Sequence, residues 1–174
     1  MEKLQYPIGR FSEPTDYTKE VRIECIEILK NAPKEFADLI YSLTTEELNT
    51  PYRDGGWNPK QIIHHVADSH MNSIIRIKLA LTEDNPTIKP YDENAWITLS
   101  DSNIDVESSL KILEGVHKRY VNLIESLKED QFKRTVFHPE SKITMSVDYL
   151  VALYAWHSKH HLGHIKIVKG IDTN

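Results

Sequence analysis

The chain has a single cysteine in 174 residues, Cys25, so no internal disulfide can form. Its apolar runs are only a few residues long, far short of the roughly 20 that a membrane-spanning helix needs. The N-terminus, MEKLQYPIGRF, lacks the apolar core of a signal peptide. Its 21 Lys and Arg residues are scattered and outnumbered by 26 Asp and Glu, giving a formal net charge of -5. No basic stripe of the kind that tracks a phosphate backbone is present. These absences exclude a disulfide scaffold and a membrane span, point away from nucleic acid, and lead us to expect a soluble cytoplasmic protein. With 40% apolar residues, the length is enough for one substantial core, and a single domain over residues 1–174 is expected.

Helical periodicity dominates what is there. Val21, Ile28, Phe36 and Leu39 recur at helical spacing from about Thr18 to Leu43, and Pro33 is expected to kink or break that helix. Asn58, Pro59 and Gln61 form a capping box with proline at the first helical position, so a second helix starts there and runs to about Leu81. Its stripe is Ile63, Ala67, His70, Ile74, Ile77 and Leu81. A third helix is predicted after Asp105 as cap, with Leu110, Leu113, Val116, Tyr120, Leu123 and Leu127 on its apolar face. Ser146 caps a fourth, which ends near Val168 with Gly170 as terminator. The pattern predicts an all-α four-helix bundle. A long connection at residues 84–103 would pack over it as a lid or wall, and RTVFHPESKITM before the fourth helix suggests a small hairpin. A short internal echo, LIYSLTTEEL at 39–48 and LIESLKEDQF at 123–132, precedes each histidine-rich helix.

In the fourth helix, YAWHSKHHLGHIKIV places His157, His160, His161 and His164 within eight positions. Residues four apart share a helical face, so His157 with His161, or His160 with His164, can chelate one ion, and spacing alone does not choose. Several imidazoles in one apolar stripe need hydrogen-bond partners or a metal, which makes metal binding the better reading of the cluster. Two ligands from one helix are too few for a tightly held first-row ion, so the second helix should supply another. It offers His64, His65 and His70, and periodicity favours His70.

The blocks PYRDGGWNPKQIIHHVADSHMNSIIRIKLALTED, IKPYDENAW and YAWHSKHHLGHI together resemble the YfiT-like branch of the DinB superfamily, over nearly the whole chain from YPIG at residues 6–9. The resemblance implies a four-helix bundle with one divalent metal on three histidines, which fall here on His65 of HVAD and on His157 and His161 of HSKHH. His70 then becomes a core residue or a neighbour of the ligands, and His164 stands behind them. The resemblance also implies a homodimer and two kinds of chemistry, metal-dependent hydrolysis and transfer of low-molecular-weight thiols such as bacillithiol.

Three neutral imidazoles leave an ion's charge uncompensated and a coordination position open, as in catalytic sites, and zinc and nickel both suit such ligands. Such an ion activates water or a thiol. The expected function is transfer of a small-molecule thiol to an electrophile, with hydrolysis as the alternative and a non-catalytic metal-stabilised bundle as the third reading. Around the site, Trp57, Tyr91 and Trp96 are candidate walls, Arg53 and Arg76 candidate anion contacts, and Asp68 a candidate partner for an imidazole N–H. Cys25, set among apolar residues, reads as a core filler.

Overall fold

Among the described residues, 2–173, of the computed structural model, four long helices carry the fold: α2 (Lys19–Tyr41), α4 (Pro59–Thr82), α6 (Glu107–Glu125) and α7 (Val147–Lys169). Short helices α1 (Glu2–Gln5), α3 (Thr45–Asn49) and α5 (Glu93–Trp96), two 3₁₀ turns (Ser100–Asn103 and Gln131–Lys133) and the hairpin β1 (Thr135–His138) with β2 (Ile143–Ser146) complete the elements among the described residues. The caps explain most of the starts. Thr18 accepts from the Val21 N–H, Asn58 and Gln61 form the reciprocal capping box, and Ser146 accepts from the Tyr149 N–H. At the other end of α7, Gly170 adopts φ 72°, the left-handed conformation that closes a helix.

Of the kink or break expected at Pro33, the break does not occur: the first long helix runs through it from Lys19 to Tyr41. The missing N–H leaves the Leu29 carbonyl without its usual partner, and the ring nitrogen Nδ1 of His117 takes that place at 2.5 Å. Phe36 and Ile40, one and two turns further on, are fully buried. The third long helix begins at Glu107, and the Asp105 carboxylate accepts from the Glu107 N–H at 3.0 Å, so Asp105 supplies the side-chain cap expected of it with Val106 between.

The helices pack as a ring in which α2 touches α6 and α7, and α4 touches the same two. Helices consecutive in sequence, α2 with α4 and α6 with α7, therefore lie across the diagonals. The core divides into two apolar clusters. One contains Leu29, Ile74, Ile77, Tyr120, Ile124 and Leu150; the other contains Phe36, Ile62, Ile63, Leu113, Leu162 and Ile165. Along α4 and α6 the chain passes from the second cluster to the first, and along α2 and α7 from the first to the second. Neighbours α4 and α6 thus run parallel, and a chain joining parallel neighbours must return the full length of the bundle. That requirement explains the long connection at residues 83–106. It is not structureless: the Ile88 N–H donates to the Phe137 carbonyl of the hairpin edge at 3.0 Å and the Phe137 N–H to the Pro86 carbonyl at 2.9 Å, and α5 and a 3₁₀ turn (Ser100–Asn103) follow.

The sequence echo is structural at its first half. Ser42 and Ser126 each end a long helix, and each hydroxyl donates to the carbonyl three residues back at 2.7 Å. The helices that follow the two copies, α4 and α7, are neighbours in the ring, which brings their histidines face to face.

Arg22 on α2 ties the bundle to the start of α7 through Asp148, with Nε to Oδ1 at 2.6 Å and Nη2 to Oδ2 at 2.9 Å. Both side chains are largely buried, and Arg22 has a second, exposed partner in Glu129 at 2.7 Å, so removing Arg22 is what strands a buried charge, that of Asp148. Arg22→Ala should cost about 3 kcal/mol of unfolding free energy in urea titrations. Lys30→Ala, which breaks an exposed pair with Glu27, should cost less than about 0.5 kcal/mol.

Candidate metal centre

The seam between the two apolar clusters is filled by imidazoles. His65 and His70 of α4, His117 of α6, and His157 and His161 of α7 all lie there, and His70 is fully buried. A ring nitrogen of each of His65, His157 and His161 falls within 4.8 Å of the others. The Nε2 atoms of His65 and His157 are 3.3 Å apart. Nitrogens bound at about 2.0–2.1 Å around a tetrahedral ion stand about 3.3 Å from one another, so this spacing fits a first-row divalent metal. The same three rings line the floor of a cleft of about 420 Å³ whose walls include Tyr6, Tyr52, Trp57, Glu93 and Trp156. A larger hollow of about 650 Å³ lies between α2 and α6, but none of the three histidines lines it.

His70, favoured by periodicity, stands behind this group. It lies five residues beyond His65 on α4, about 140° around the helix, and its Nε2 meets Nδ1 of His157 at 3.1 Å. His164 is also behind: its Nε2 reaches the Gln5 carbonyl at 3.1 Å and its Nδ1 lies 3.4 Å from Nδ1 of His161. Gly163 permits that contact, because a Cβ there would sit 2.8 Å from Pro7 Cγ and push the N-terminal segment away. A second group, His160, His161 and His164, also has ring nitrogens within 4.8 Å. All three of its members come from α7, and Nε2 of His164 is held by the Gln5 carbonyl. His64 points elsewhere, with Nδ1 2.8 Å from the Ser109 hydroxyl on α6.

The other sequence candidates divide. Trp57 packs on His65 with ring centroids 4.7 Å apart, and Arg53 stands on the cleft wall with its Nε donating to the Tyr52 hydroxyl at 3.1 Å. Tyr91 and Trp96 stack on each other at 4.3 Å and do not line the cleft; Glu93 and Asn94 between them do. Arg76 donates to the Tyr154 hydroxyl at 3.4 Å, outside the cleft. Among the described residues no hydrogen bond joins the Asp68 carboxylate to an imidazole, and burial raises its pKa. Cys25 is half-buried against the first apolar cluster, as a core filler would be. Sequence reasoning missed His117, a lone histidine on an otherwise ordinary amphipathic helix, and it missed the N-terminal residues Gln5 and Tyr6, whose partners are more than 150 residues away.

Burial disfavours the imidazolium form throughout the seam. It pushes His65 down to about 4, with His164 adding to the effect, and His164 itself to about 4. His70, His157 and His161 are held well below the ordinary value by burial and by one another. In the unfolded chain these rings take up protons near pH 6.5, whereas in the folded chain His65 and His164 do so only near pH 4 and His70, His157 and His161 only well below the ordinary value. The unfolded state therefore binds more protons across that interval, and stability present above pH 6.5 is lost as the pH falls towards 4. With chelator present, the urea midpoint should drop steeply between pH 6.5 and pH 4. A midpoint unchanged over that range would contradict neutral buried rings.

Residues 28–165 match the DinB superfamily. A Bacillus mycoides (strain KBAB4) protein is 48% identical over 165 residues, 95% of each chain, and YfiT of Bacillus subtilis (strain 168) is 44% identical, covering 93% of this chain and 92% of that one. Both carry the name "Putative metal-dependent hydrolase". The solved structure of YfiT, described as "a probable metal-dependent hydrolase with an unusual four-helix bundle topology", superposes with a TM-score of 0.93 at 43% identity over 97% of both chains. The fold is thus similar to the four-helix bundle of YfiT, and the chain belongs to the DinB superfamily.

Proposed function

We propose that this protein is a divalent-metal-dependent enzyme with His65, His157 and His161 as ligands to zinc or nickel, and that it transfers a low-molecular-weight thiol of the bacillithiol type to an electrophilic substrate. The observation that carries the reading is the convergence of three neutral imidazole nitrogens from two helices on the floor of a cleft, with no carboxylate among them. A divalent ion bound there supplies Lewis acidity at an open position, which lowers the pKa of a thiol or of water. The cleft supports turnover over a closed structural site.

The chain's own residues supply the rest. The three imidazoles stay neutral because they are buried, so they offer lone pairs down to mildly acid pH. Tyr6, Tyr52, Trp57 and Trp156 narrow the opening and reduce access of bulk water to the floor. Arg53 stands where it can hold an anionic group of the thiol or the electrophile. In the transfer the thiol gives its proton to solvent, its sulfur forms a bond to the electrophilic carbon, and the leaving group departs with the bonding pair. A thiol starts near pKa 8.5 and needs no separate base for this step.

Hydrolysis is the second reading. It is supported by the names of the relatives and by Glu93, a carboxylate on the cleft wall that could take a proton from water.

Purified protein should retain one equivalent of zinc or nickel. His65→Ala, His157→Ala and His161→Ala should each abolish that retention, while His160→Ala keeps it. Incubation with a panel of thiols and a chloroaromatic electrophile should yield the S-conjugate and chloride, at a rate removed by chelator and restored by zinc or nickel. Metal-dependent cleavage of esters or amides without any S-conjugate would favour hydrolysis. Equal turnover by folded, demetallated protein would refute the metal mechanism altogether.

A further inference from the structure

Two chains of hydrogen bonds run from the α7 ligands to backbone carbonyls. The longer begins at the Leu29 carbonyl, left free by Pro33, and passes through His117 Nδ1 at 2.5 Å, His117 Nε2 to His70 Nδ1 at 2.9 Å, and His70 Nε2 to His157 Nδ1 at 3.1 Å. The shorter begins at the Gln5 carbonyl and passes through His164 Nε2 at 3.1 Å and His164 Nδ1 to His161 Nδ1 at 3.4 Å.

A carbonyl oxygen only accepts, and a neutral imidazole has one N–H and one lone pair. His117 must therefore donate from Nδ1, which leaves its Nε2 as acceptor. His70 must then donate from Nδ1 and accept at Nε2, so His157 donates from Nδ1 and carries its lone pair on Nε2. The same reasoning along the shorter chain puts the proton of His161 on Nδ1 and its lone pair on Nε2. Each chain has only one self-consistent arrangement, and the fixed point is a backbone atom in each case.

We propose that His70, His117 and His164 are positioning residues which set the tautomer of His157 and His161, so that both meet the ion through Nε2. This rests on the ligand set proposed above. The proton of a ligand's outer nitrogen commonly goes to a carboxylate, carbonyl or water; here other imidazoles carry it to carbonyls on α2 and on the N-terminal segment. Leu29 and Gln5 thereby become part of the centre without touching it.

The test uses the full chain, metal-free in chelator and labelled with ¹⁵N in its histidines. The ring-nitrogen shifts should show His157 and His161 as Nδ1–H tautomers, although free histidine prefers Nε2–H. Zinc affinity, measured by competition with a chromophoric chelator, should fall about 10- to 100-fold in His117→Phe. Phenylalanine keeps the packing but cannot accept from His70, so a merely space-filling role would leave both affinity and tautomer unchanged. His117→Gln should restore much of the affinity, because its amide can donate to Leu29 and accept from His70. If His117→Phe fails to fold by its helical signal, His164→Leu tests the shorter chain in the same way. Wild-type protein that binds zinc yet carries Nε2–H on His157 would overturn the positioning role alone. Wild-type protein that shows the stated tautomers but binds no zinc or nickel would overturn the ligand set, and the positioning role with it.

Discussion

A buried imidazole kept neutral has one proton and one lone pair to satisfy, and an unsatisfied polar atom in an apolar interior is costly. The seam of this bundle holds enough such rings that the constraint governs how the helices meet. His70 is fully buried and has partners on both sides, His117 and His157, so three of the four long helices are joined through one line of rings. The line needs an acceptor at its far end. Pro33 provides one by withholding a single N–H from α2, so a residue unfavourable to its own helix satisfies the layer beside it.

The topology serves the same layer. Because α4 and α6 are parallel neighbours, while α2 with α4 and α6 with α7 sit on diagonals, α4 and α7 become neighbours although some 65 residues separate their ends. Their histidines can then converge from opposite sides. The cost is a long return connection, and the chain uses it: the segment pairs with the hairpin edge, covers the first apolar cluster with Ile88, and delivers Glu93 and Asn94 to the cleft. The N-terminal segment closes the other side, and Gly163 allows the close approach on which the His164 contact depends.

Local signals in the sequence were enough for the long helices, because caps and apolar stripes act over a few residues. Asn58, Pro59 and Gln61 marked the start of α4, and Gly170 the end of α7, from chemistry contained in each short stretch. Pro33 was misleading for the opposite reason: whether a proline breaks a helix depends on what the freed carbonyl meets, and His117 lies 84 positions away. The same limit applied at the centre. Helical spacing identified the α7 cluster but favoured His70 over His65, since His70 does lie on the buried stripe; only the family pattern pointed to His65. Periodicity reports burial, and the most buried histidine serves here as a partner to a ligand candidate.

The nature of those partners bears on the chemistry. A carboxylate behind a metal-bound imidazole draws its proton, raises the ring's basicity and offsets part of the ion's charge. Neither chain here ends in a carboxylate; both end in carbonyl dipoles, and Asp68 bonds to none of the rings. An ion on these ligands would keep nearly its full charge within a cleft where aromatic rings limit screening by solvent. Such a site would discriminate by charge on the incoming atom, favouring one that arrives as an anion or readily becomes one. Thiols ionise about seven pKa units more easily than water, so under the proposed function they would have the larger gain from the same cation. Water would need help from a base, and Glu93 on the cleft wall, midway along the long connection that the topology requires, is the residue on which that alternative rests.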